Sequence, residues 1–280
     1  QVSSLVARAD GSVWVATDRG VAHLDAGSTE WTIYGHDQGL DSESVVHLYD
    51  DDGVLWALSI NGERGLDVFD GERWGAAPVP ALPPETLSDL RRIARDRAGR
   101  LWIGLSSGGT LRRDGREWQV HRIDGDAGVR DFEVGPRGLL AATDQGVYRY
   151  THQAAAWTRA TRGGEGVAAN DVHEKDERLW IACEGGVRHG ANFVESESEE
   201  LPAYDVTSVA EDREGGLWFG MAGAGLARFE DGQVTHWALG RPGPAVNDLA
   251  RVVAGPGGAL WVLPVGRAGV YERRPDGTWQ

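Results

Sequence analysis

Polar and charged side chains stand at corresponding points in six stretches of the chain, each next to the start of a short apolar run. They are Glu43, Asp89, Arg130 with Asp131, Asn170 with Asp171, Asp205, and Asn247 with Asp248. Carboxylates and amides accept hydrogen bonds, so a ring of them would suit a polyhydroxylated or cationic ligand. Alternatively, each side chain caps a local turn by accepting backbone N–H groups. The sequence leaves both interpretations open.

Three further residues complete the predicted binding set. His36 lies in the segment YGHDQGLDSES and is the histidine best placed for a functional role. Arg64 and Arg267 stand in longer turns, where a guanidinium could bind a carboxylate. We assign no catalytic residue, metal ligand or cofactor. The eight histidines show no helical pair spacing, although ligands from distant parts of a fold could still converge on a metal.

Three short motifs are typical of catalytic or binding loops but are better interpreted as turns. Residues 104–108 fit G-x-S-x-G, and residues 220–225 are glycine-rich after an apolar run, yet a predicted strand follows each where those sites need a helix. Residues 50–53 (DDDG) lack the alternate spacing and distal Glu of a calcium loop. None of the three predicts chemistry.

The elements that position these residues are repeats built from short strands. The pattern glycine turn, apolar run with Trp, second glycine turn and alternating strand occurs seven times. Its anchors are Trp14, Trp56, Trp102, Leu140, Trp180, Trp218 and Trp261, with spacings of 42, 46, 38, 40, 38 and 43 residues. Leu140 belongs to the series because LAATDQGV repeats WVATDRGV, with the Trp replaced. A period of about 40 residues made of strands is typical of a β-propeller.

We therefore predict an all-β chain that forms a single seven-bladed propeller over residues 1–280, with four antiparallel strands, A to D, in each blade. The approximate blade boundaries are 1–34, 35–77, 78–121, 122–160, 161–197, 198–239 and 240–280. Strand D carries a second aromatic residue, and the predicted positions are Trp31, Trp74, Trp118, Trp157, Phe193, Trp237 and Trp279. These aromatics and the anchor Trp residues should fill the spaces between stacked blades.

The same prediction places the candidate site. We expect blades continuous in sequence, with the ring closed by packing of the first blade against the seventh. The D-to-A loops and B-to-C turns would then open on one face around the central channel, where variable loops on a rigid scaffold commonly bind ligands. The polar residues at the start of each strand A should therefore gather at the channel mouth.

Composition restricts the partners. A net charge of −15 and a pI near 4.9 argue against nucleic acid or an anionic membrane as the main partner. No apolar run is long enough to span a membrane. Cys183 is the only cysteine, so we expect no disulfide framework. The chain begins at Gln1 without a signal peptide, and we expect a trimmed domain or a processed mature protein.

The repeat text resembles the two-component regulator propeller repeat. The stretch 34–58, YGHDQGLDSESVVHLYDDDGVLWAL, matches its pattern of "dGL.s..V..l..D..G.lW". The D-x-x-G-x-L-W portion occurs at residues 50–56, 96–102 and 212–218. The fourth repeat, without Trp, and the fifth, without the turn glycine, depart from it. The motif is specific for fold and weak for function.

This resemblance implies a bacterial sensor module in the periplasm or outside the cell. At a net charge of −15, we expect a small polar or carbohydrate ligand at the channel mouth rather than a polyanion. The resemblance also implies a membrane-anchored output domain as a partner. A looser resemblance is to streptogramin lyases, seven-bladed propellers with a metal-dependent His and Glu site. Here only Leu217-Trp218-Phe219 approaches their text, and Gly220-Met221 follows in place of the acidic residue. A propeller lyase or hydrolase, with or without a metal, and a protein–protein interaction platform remain the alternatives, since fold alone does not choose among them.

Overall fold

The computed structural model describes residues 2–160, 166–190, 205–237, 249–265 and 269–280. Strands form because each repeat places an apolar, β-branched or aromatic run between turns that need a positive φ. At the C-to-D turn of the sixth repeat, Asp231 and Gly232 have φ values of 50° and 80°. The fifth repeat makes its A-to-B turn without glycine, with Asp176 at 49° and Glu177 at 62°.

The strands group into seven antiparallel sheets, each built from one continuous stretch within the described residues. Blade 1 contains β1 (Val2–Ala7), β2 (Val13–Thr17), β3 (Gly20–Leu24) and β4 (Trp31–Tyr34). Blade 2 contains β5 (Val45–Asp51), β6 (Val54–Ser59), β7 (Leu66–Phe69) and β8 (Trp74–Ala76). Blade 3 contains β9 (Leu90–Arg95), β10 (Leu101–Leu105), β11 (Thr110–Asp114) and β12 (Glu117–His121). Blade 4 contains β13 (Val129–Gly135), β14 (Gly138–Thr143), β15 (Gly146–Thr151) and β16 (Ala156–Arg159).

The remaining blades follow the same order. Blade 5 contains β17 (Ala169–Lys175), β18 (Arg178–Cys183) and β19 (Gly186–Gly190). Blade 6 contains β20 (Val206–Glu211), β21 (Leu217–Met221), β22 (Gly225–Glu230) and β23 (Gln233–Trp237). Blade 7 contains β24 (Leu249–Ala254), β25 (Leu260–Pro264) and β26 (Tyr271–Arg273), and Trp279 bridges to Arg273. Short 3-10 helices occupy His36–Gln38, Pro84–Thr86, Asp124–Asp126 and Pro256–Gly258.

This architecture confirms the predicted seven-bladed all-β propeller. The strand D predicted around Phe193 lies outside the described residues. Motif 104–108 spans the end of β10 and a turn, and β11 follows it, so it is not a nucleophile elbow. No helix in the described ranges is long and apolar enough to cross a membrane.

The core lies between blades. Trp14 of blade 1 packs on Phe69 and Trp74 of blade 2, with ring centroids 4.8 and 6.2 Å apart. Leu140, at the anchor position without Trp, is fully buried among blade 5 residues. Trp31 departs from the prediction, because it is 41% exposed and does not fill an interblade space.

The same packing closes the ring. Val2 and Leu5 of blade 1 are buried with Trp261 and Leu263 of blade 7. The described strands therefore close the propeller by packing between the first and last blades, as expected, and not by a strand shared within one blade.

Candidate functional site

Each innermost strand carries a β-bulge near its N-terminal end, where pairing with the second strand skips one residue. The seven skipped residues, here called the bulge ring, are Ser3, Val46, Arg91, Arg130, Asn170, Thr207 and Ala250. The residues that follow them, here called the charged ring, are Ser4, His47, Arg92, Asp131, Asp171, Ser208 and Arg251. The innermost strands begin on the face of the D-to-A loops, so both rings surround the channel near that mouth.

Side chains of the bulge ring tie neighbouring innermost strands together. The Ser3 hydroxyl donates to the Val45 carbonyl at 2.7 Å, the Asn170 amide to the Val206 carbonyl at 2.8 Å, and the Thr207 hydroxyl to the Leu249 carbonyl at 2.9 Å. Each acceptor is the residue just before the bulge of the next blade. The repetition shows that bulge side chains reach across the gap between adjacent blades.

The charged ring makes a second series of links between blades. Ser4, His47, Asp171 and Ser208 each accept a hydrogen bond from a backbone N–H of the next innermost strand, at 3.2, 3.2, 3.0 and 2.9 Å. Asp171 also accepts from its neighbour Val172 N at 2.8 Å. Both carboxylate oxygens of Asp171 are therefore occupied by backbone donors.

Two arginines of the charged ring converge on Asp131. Arg92 Nε lies 3.3 Å from Asp131 Oδ1, and Arg251 Nη1 contacts Asp131 Oδ2. Arg251 belongs to blade 7 and Asp131 to blade 4, which are not neighbours in a ring of seven. The Arg251 side chain therefore spans the channel, and the three residues cross it just below the mouth.

In this cluster the pKa values of the two aspartates shift in opposite directions. Burial acts to raise the pKa of Asp131, but the Arg251 and Arg92 charges outweigh it and lower the pKa to about 2. Burial, followed by the Asp131 charge, raises the pKa of Asp171 to about 7, although Arg251 and two backbone N–H groups oppose the shift. Burial and the nearby Arg92 hold the pKa of His47 well below its usual value. His47 is thus a neutral acceptor.

A separate ionic chain lies farther along the innermost strands. His173 Nδ1 lies 3.1 Å from Glu133 and His173 Nε2 lies 2.9 Å from Glu211, which also pairs with Lys175 at 2.8 Å. Burial lowers the pKa of His173, but hydrogen bonds and charges from Glu133 and Glu211 outweigh it and raise the pKa. A ring with both nitrogens on carboxylates is an imidazolium that donates twice. The chain links blades 4, 5 and 6.

Five of the predicted site residues fall into two groups. Arg130, Asn170 and Asp171 lie together in the two rings, and Arg130 Nη1 donates to Asn170 Oδ1 at 2.6 Å. Asp89 accepts from Ser107 N at 2.9 Å and from the hydroxyls of Ser106 and Ser107. Asp205 Oδ1 accepts from Gly185 N at 2.9 Å. These two carboxylates take the turn-capping role.

Three other predicted residues are engaged locally. The exposed His36 places Nδ1 3.0 Å from the Leu40 carbonyl. Glu43 has an exposed side chain, and its carbonyl accepts from Gly20 N at 2.7 Å. Arg64 is 2.8 Å from Asp67, so its guanidinium is already paired with a fully buried carboxylate. Asn247, Asp248 and Arg267 lie outside the described residues.

Sequence reasoning missed Arg91, Arg92 and Arg251. Adjacent arginines in the otherwise apolar strand LRRIAR were a signal for the first two. Among the described ranges, no group of three or more His, Cys, Asp or Glu side chains could hold a metal ion. The rings instead offer guanidinium, amide and hydroxyl groups, which can bind a polar ligand without proton transfer.

The fold and the two rings define a seven-bladed propeller with a polar channel mouth. A family model described as "Two component regulator propeller" matches residues 200–223, which confirms the predicted resemblance for that stretch. No curated protein sequence matches the chain.

Among the solved structures with similar folds are three different proteins. The extracellular domain of the hybrid two component system BT4673 from B. thetaiotaomicron is 18% identical, with a TM-score of 0.58, and the match covers 100% of this chain and 42% of that one. Streptogramin B lyase is 13% identical, with a TM-score of 0.69 and coverage of 94% and 90%. YCF48 from Cyanidioschyzon merolae is 14% identical, with a TM-score of 0.70 and coverage of 94% and 92%. At these identities the likeness shows the fold alone, and this chain spans less than half of the sensor chain.

Proposed function

We propose that residues 1–280 form an extracytoplasmic sensor propeller domain that binds a small polar or glycan-like ligand at the channel mouth. The main observation in support is the pair of aligned rings. They surround one mouth with hydrogen-bonding side chains on seven rigid strands. The regulator propeller repeat and the extracellular sensor domain among the structural neighbours support the sensor role.

The bridge formed by Arg251 and Asp131 supports binding at the mouth over binding through the channel. It spans the channel just below the bulge ring, so a ligand entering from the D-to-A face meets a charged floor. Arg130 and Asn170 stand above that floor and retain donors and acceptors for a ligand. In a longer protein, occupancy of this mouth would be transmitted to a membrane-anchored output domain.

A thermal-shift screen of neutral and acidic saccharides and small organic acids tests the proposal, because a ligand that binds only the folded state raises the melting temperature. Calorimetry then measures the affinity of each hit for the wild type, for Asn170→Ala and for Asp52→Asn. Asp52 lies in the turn after β5, on the opposite face, where its φ of 50° suits Asn. We expect weaker binding only for Asn170→Ala. Hits whose affinity is unchanged in Asn170→Ala would show that the ligand binds away from the mouth.

One observation favours an enzyme as the second candidate. His173 and carboxylates from two other blades converge, as a channel lyase or hydrolase would need. Both ring nitrogens, however, face carboxylates, which leaves no lone pair for a base or a metal. Ligand turnover that disappears in His173→Ala would support the enzyme over the sensor.

A further inference from the structure

Among the described residues, the side chains of the two rings offer more charged hydrogen-bond donors than carboxylate acceptors. Asp131 and Asp171 provide four carboxylate oxygens. Asp131 Oδ1 accepts from Phe132 N at 2.8 Å and faces Arg92, and Oδ2 contacts Arg251. Asp171 gives one oxygen to Val172 N and the other to Val209 N. Each of the four oxygens already faces a donor, whereas Arg92 and Arg251 each carry five N–H donors, more than these contacts use.

The bulge ring adds two more arginines directly at the mouth. Arg91 and Arg130 occupy the same bulge position on adjacent blades, and both side chains are exposed. Arg130 donates to the neutral amide of Asn170, so its charge has no counterion there. Within the described residues, the Arg91 guanidinium has neither an ion-pair nor a hydrogen-bond partner.

Three described carboxylates near the mouth are already engaged by other groups. Asp89 and Asp205 direct their oxygens at donors of the nearby B-to-C turns. Glu133, below the charged ring, faces His173. The two rings together hold four arginines and two aspartates, in a protein whose net charge is −15. The cationic surplus is local, and the surrounding acidic surface disfavours polyanions.

We propose that Arg91 and Arg130 form a carboxylate-binding subsite at the channel mouth, which selects a ligand carrying a single acidic group. This inference rests on the proposed function and specifies its ligand class. A guanidinium fork matches a carboxylate in two parallel hydrogen bonds. Asn170 orients Arg130 from the next blade, and the Arg92–Asp131–Arg251 cluster forms a positively charged floor. Of the two sequence-based candidates for this contact, Arg64 is already paired with Asp67, and Arg267 lies outside the described residues.

Acetate and D-glucuronate are the probes, with D-glucose as the neutral match for glucuronate. Melting temperatures are measured against probe concentration at constant ionic strength, with chloride replaced by the probe. We expect a saturable rise for both anions in the wild type, and calorimetric affinity for glucuronate at least about tenfold above that for glucose, because hydrogen bonds to a charged group are stronger than those to a neutral one.

The variant Arg91→Gln/Arg130→Gln should lose the saturable rise and the preference for glucuronate. Arg97→Gln/Arg116→Gln is the charge-matched control, since both residues are exposed and lie in an A-to-B turn and a C-to-D turn, on the face opposite the mouth. Absence of a saturable anion effect in the wild type, or its retention in Arg91→Gln/Arg130→Gln, overturns the subsite. Neutral saccharide binding that survives this double substitution but weakens in Asn170→Ala would leave the proposed function standing without the subsite. Acetate binding that Arg91→Gln/Arg130→Gln abolishes, with no saccharide and no other acid of the screen bound, would leave the subsite standing without the proposed function.

Discussion

Trp102 Nε1 donates a hydrogen bond to Asp96 Oδ2 at 2.8 Å, and Trp218 Nε1 donates to Asp212 Oδ2 at the same distance. In each pair the aspartate precedes the tryptophan by six residues, which is the spacing of the repeat motif D-x-x-G-x-L-W. Asp96 also accepts from the backbone N–H groups of Ala98 and Arg100, so one carboxylate holds the A-to-B turn and the buried indole together. The motif thus combines turn formation with burial of the anchor.

The second repeat keeps the motif but not the contact. Asp50 instead accepts from Arg8 Nε of blade 1 at 2.6 Å, and Trp56 Nε1 has no hydrogen-bond partner in the described structure. Trp102→Phe should therefore cost about 1–3 kcal/mol more than Trp56→Phe, because it alone removes a donor from a buried carboxylate. Urea midpoints of the two variants measure this difference. Equal losses would show that the Asp96 contact adds nothing to stability.

Trp218 carries the packing between blades 6 and 7. It is 2% exposed and lies against Leu249 and Val252 of the next blade. Trp218→Ala should cost about 3–5 kcal/mol as a large-to-small core substitution. Trp31→Ala is the control, since Trp31 is 41% exposed and its loss should cost much less. An unmoved denaturation midpoint for Trp218→Ala would contradict the interblade core.

The cross-channel ion pair predicts a large and pH-dependent effect. Arg251→Met leaves the buried Asp131 with Arg92 as its remaining cation and should cost about 3–5 kcal/mol near neutral pH. The folded-state pKa of Asp131, about 2, lies below its ordinary value of 3.8, so its stabilising contribution is present above pH 3.8 and is lost as pH falls through about 2. The difference between wild type and variant should therefore shrink on acidification.

Arg122→Met provides the comparison for this experiment. Arg122 and Asp126 form an ion pair with side chains 80% and 65% exposed, which water screens. The unfolding free energy of Arg122→Met should stay within ~0.5 kcal/mol of the wild-type value. A similar small loss for Arg251→Met, independent of pH, would rule out a stabilising cross-channel bridge.

His173 predicts a pH dependence in the opposite direction. Its pKa is raised in the folded protein above the ordinary 6.5, chiefly by Glu133 and Glu211 against the effect of burial. The stabilisation is therefore fully present below pH 6.5 and declines as pH rises through the folded-state pKa. His173→Gln should remove the decline above pH 7, which melting curves between pH 7 and 9 would show. Below pH 7 the raised pKa of Asp171 contributes a decline of its own in both proteins. If the decline above pH 7 persists in His173→Gln, groups other than His173 cause it.

Local patterns were enough to predict the architecture. The seven anchors and the Asp-Gly turns specify short strands because apolar runs of strand length must alternate with residues that tolerate positive φ. Leu140 shows that the pattern identifies a repeat even without Trp, because its side chain fills the expected interblade position. Asp89 and Asp205 could not be assigned in the same way, because capping and ligand binding use the same oxygens.

The sequence by itself determined the propeller and the start of each innermost strand, where Arg130, Asn170 and Asp171 were expected. Only the tertiary structure decided which charges meet. A bulge adds one residue to a strand and so changes which of the following side chains point to each face. The alternation of residue types alone therefore does not predict the ring that contains Arg92, Asp131 and Arg251. Arg251 and Asp131 are 120 residues apart in the sequence, and their contact exists because closing the ring places blade 7 across the channel from blade 4.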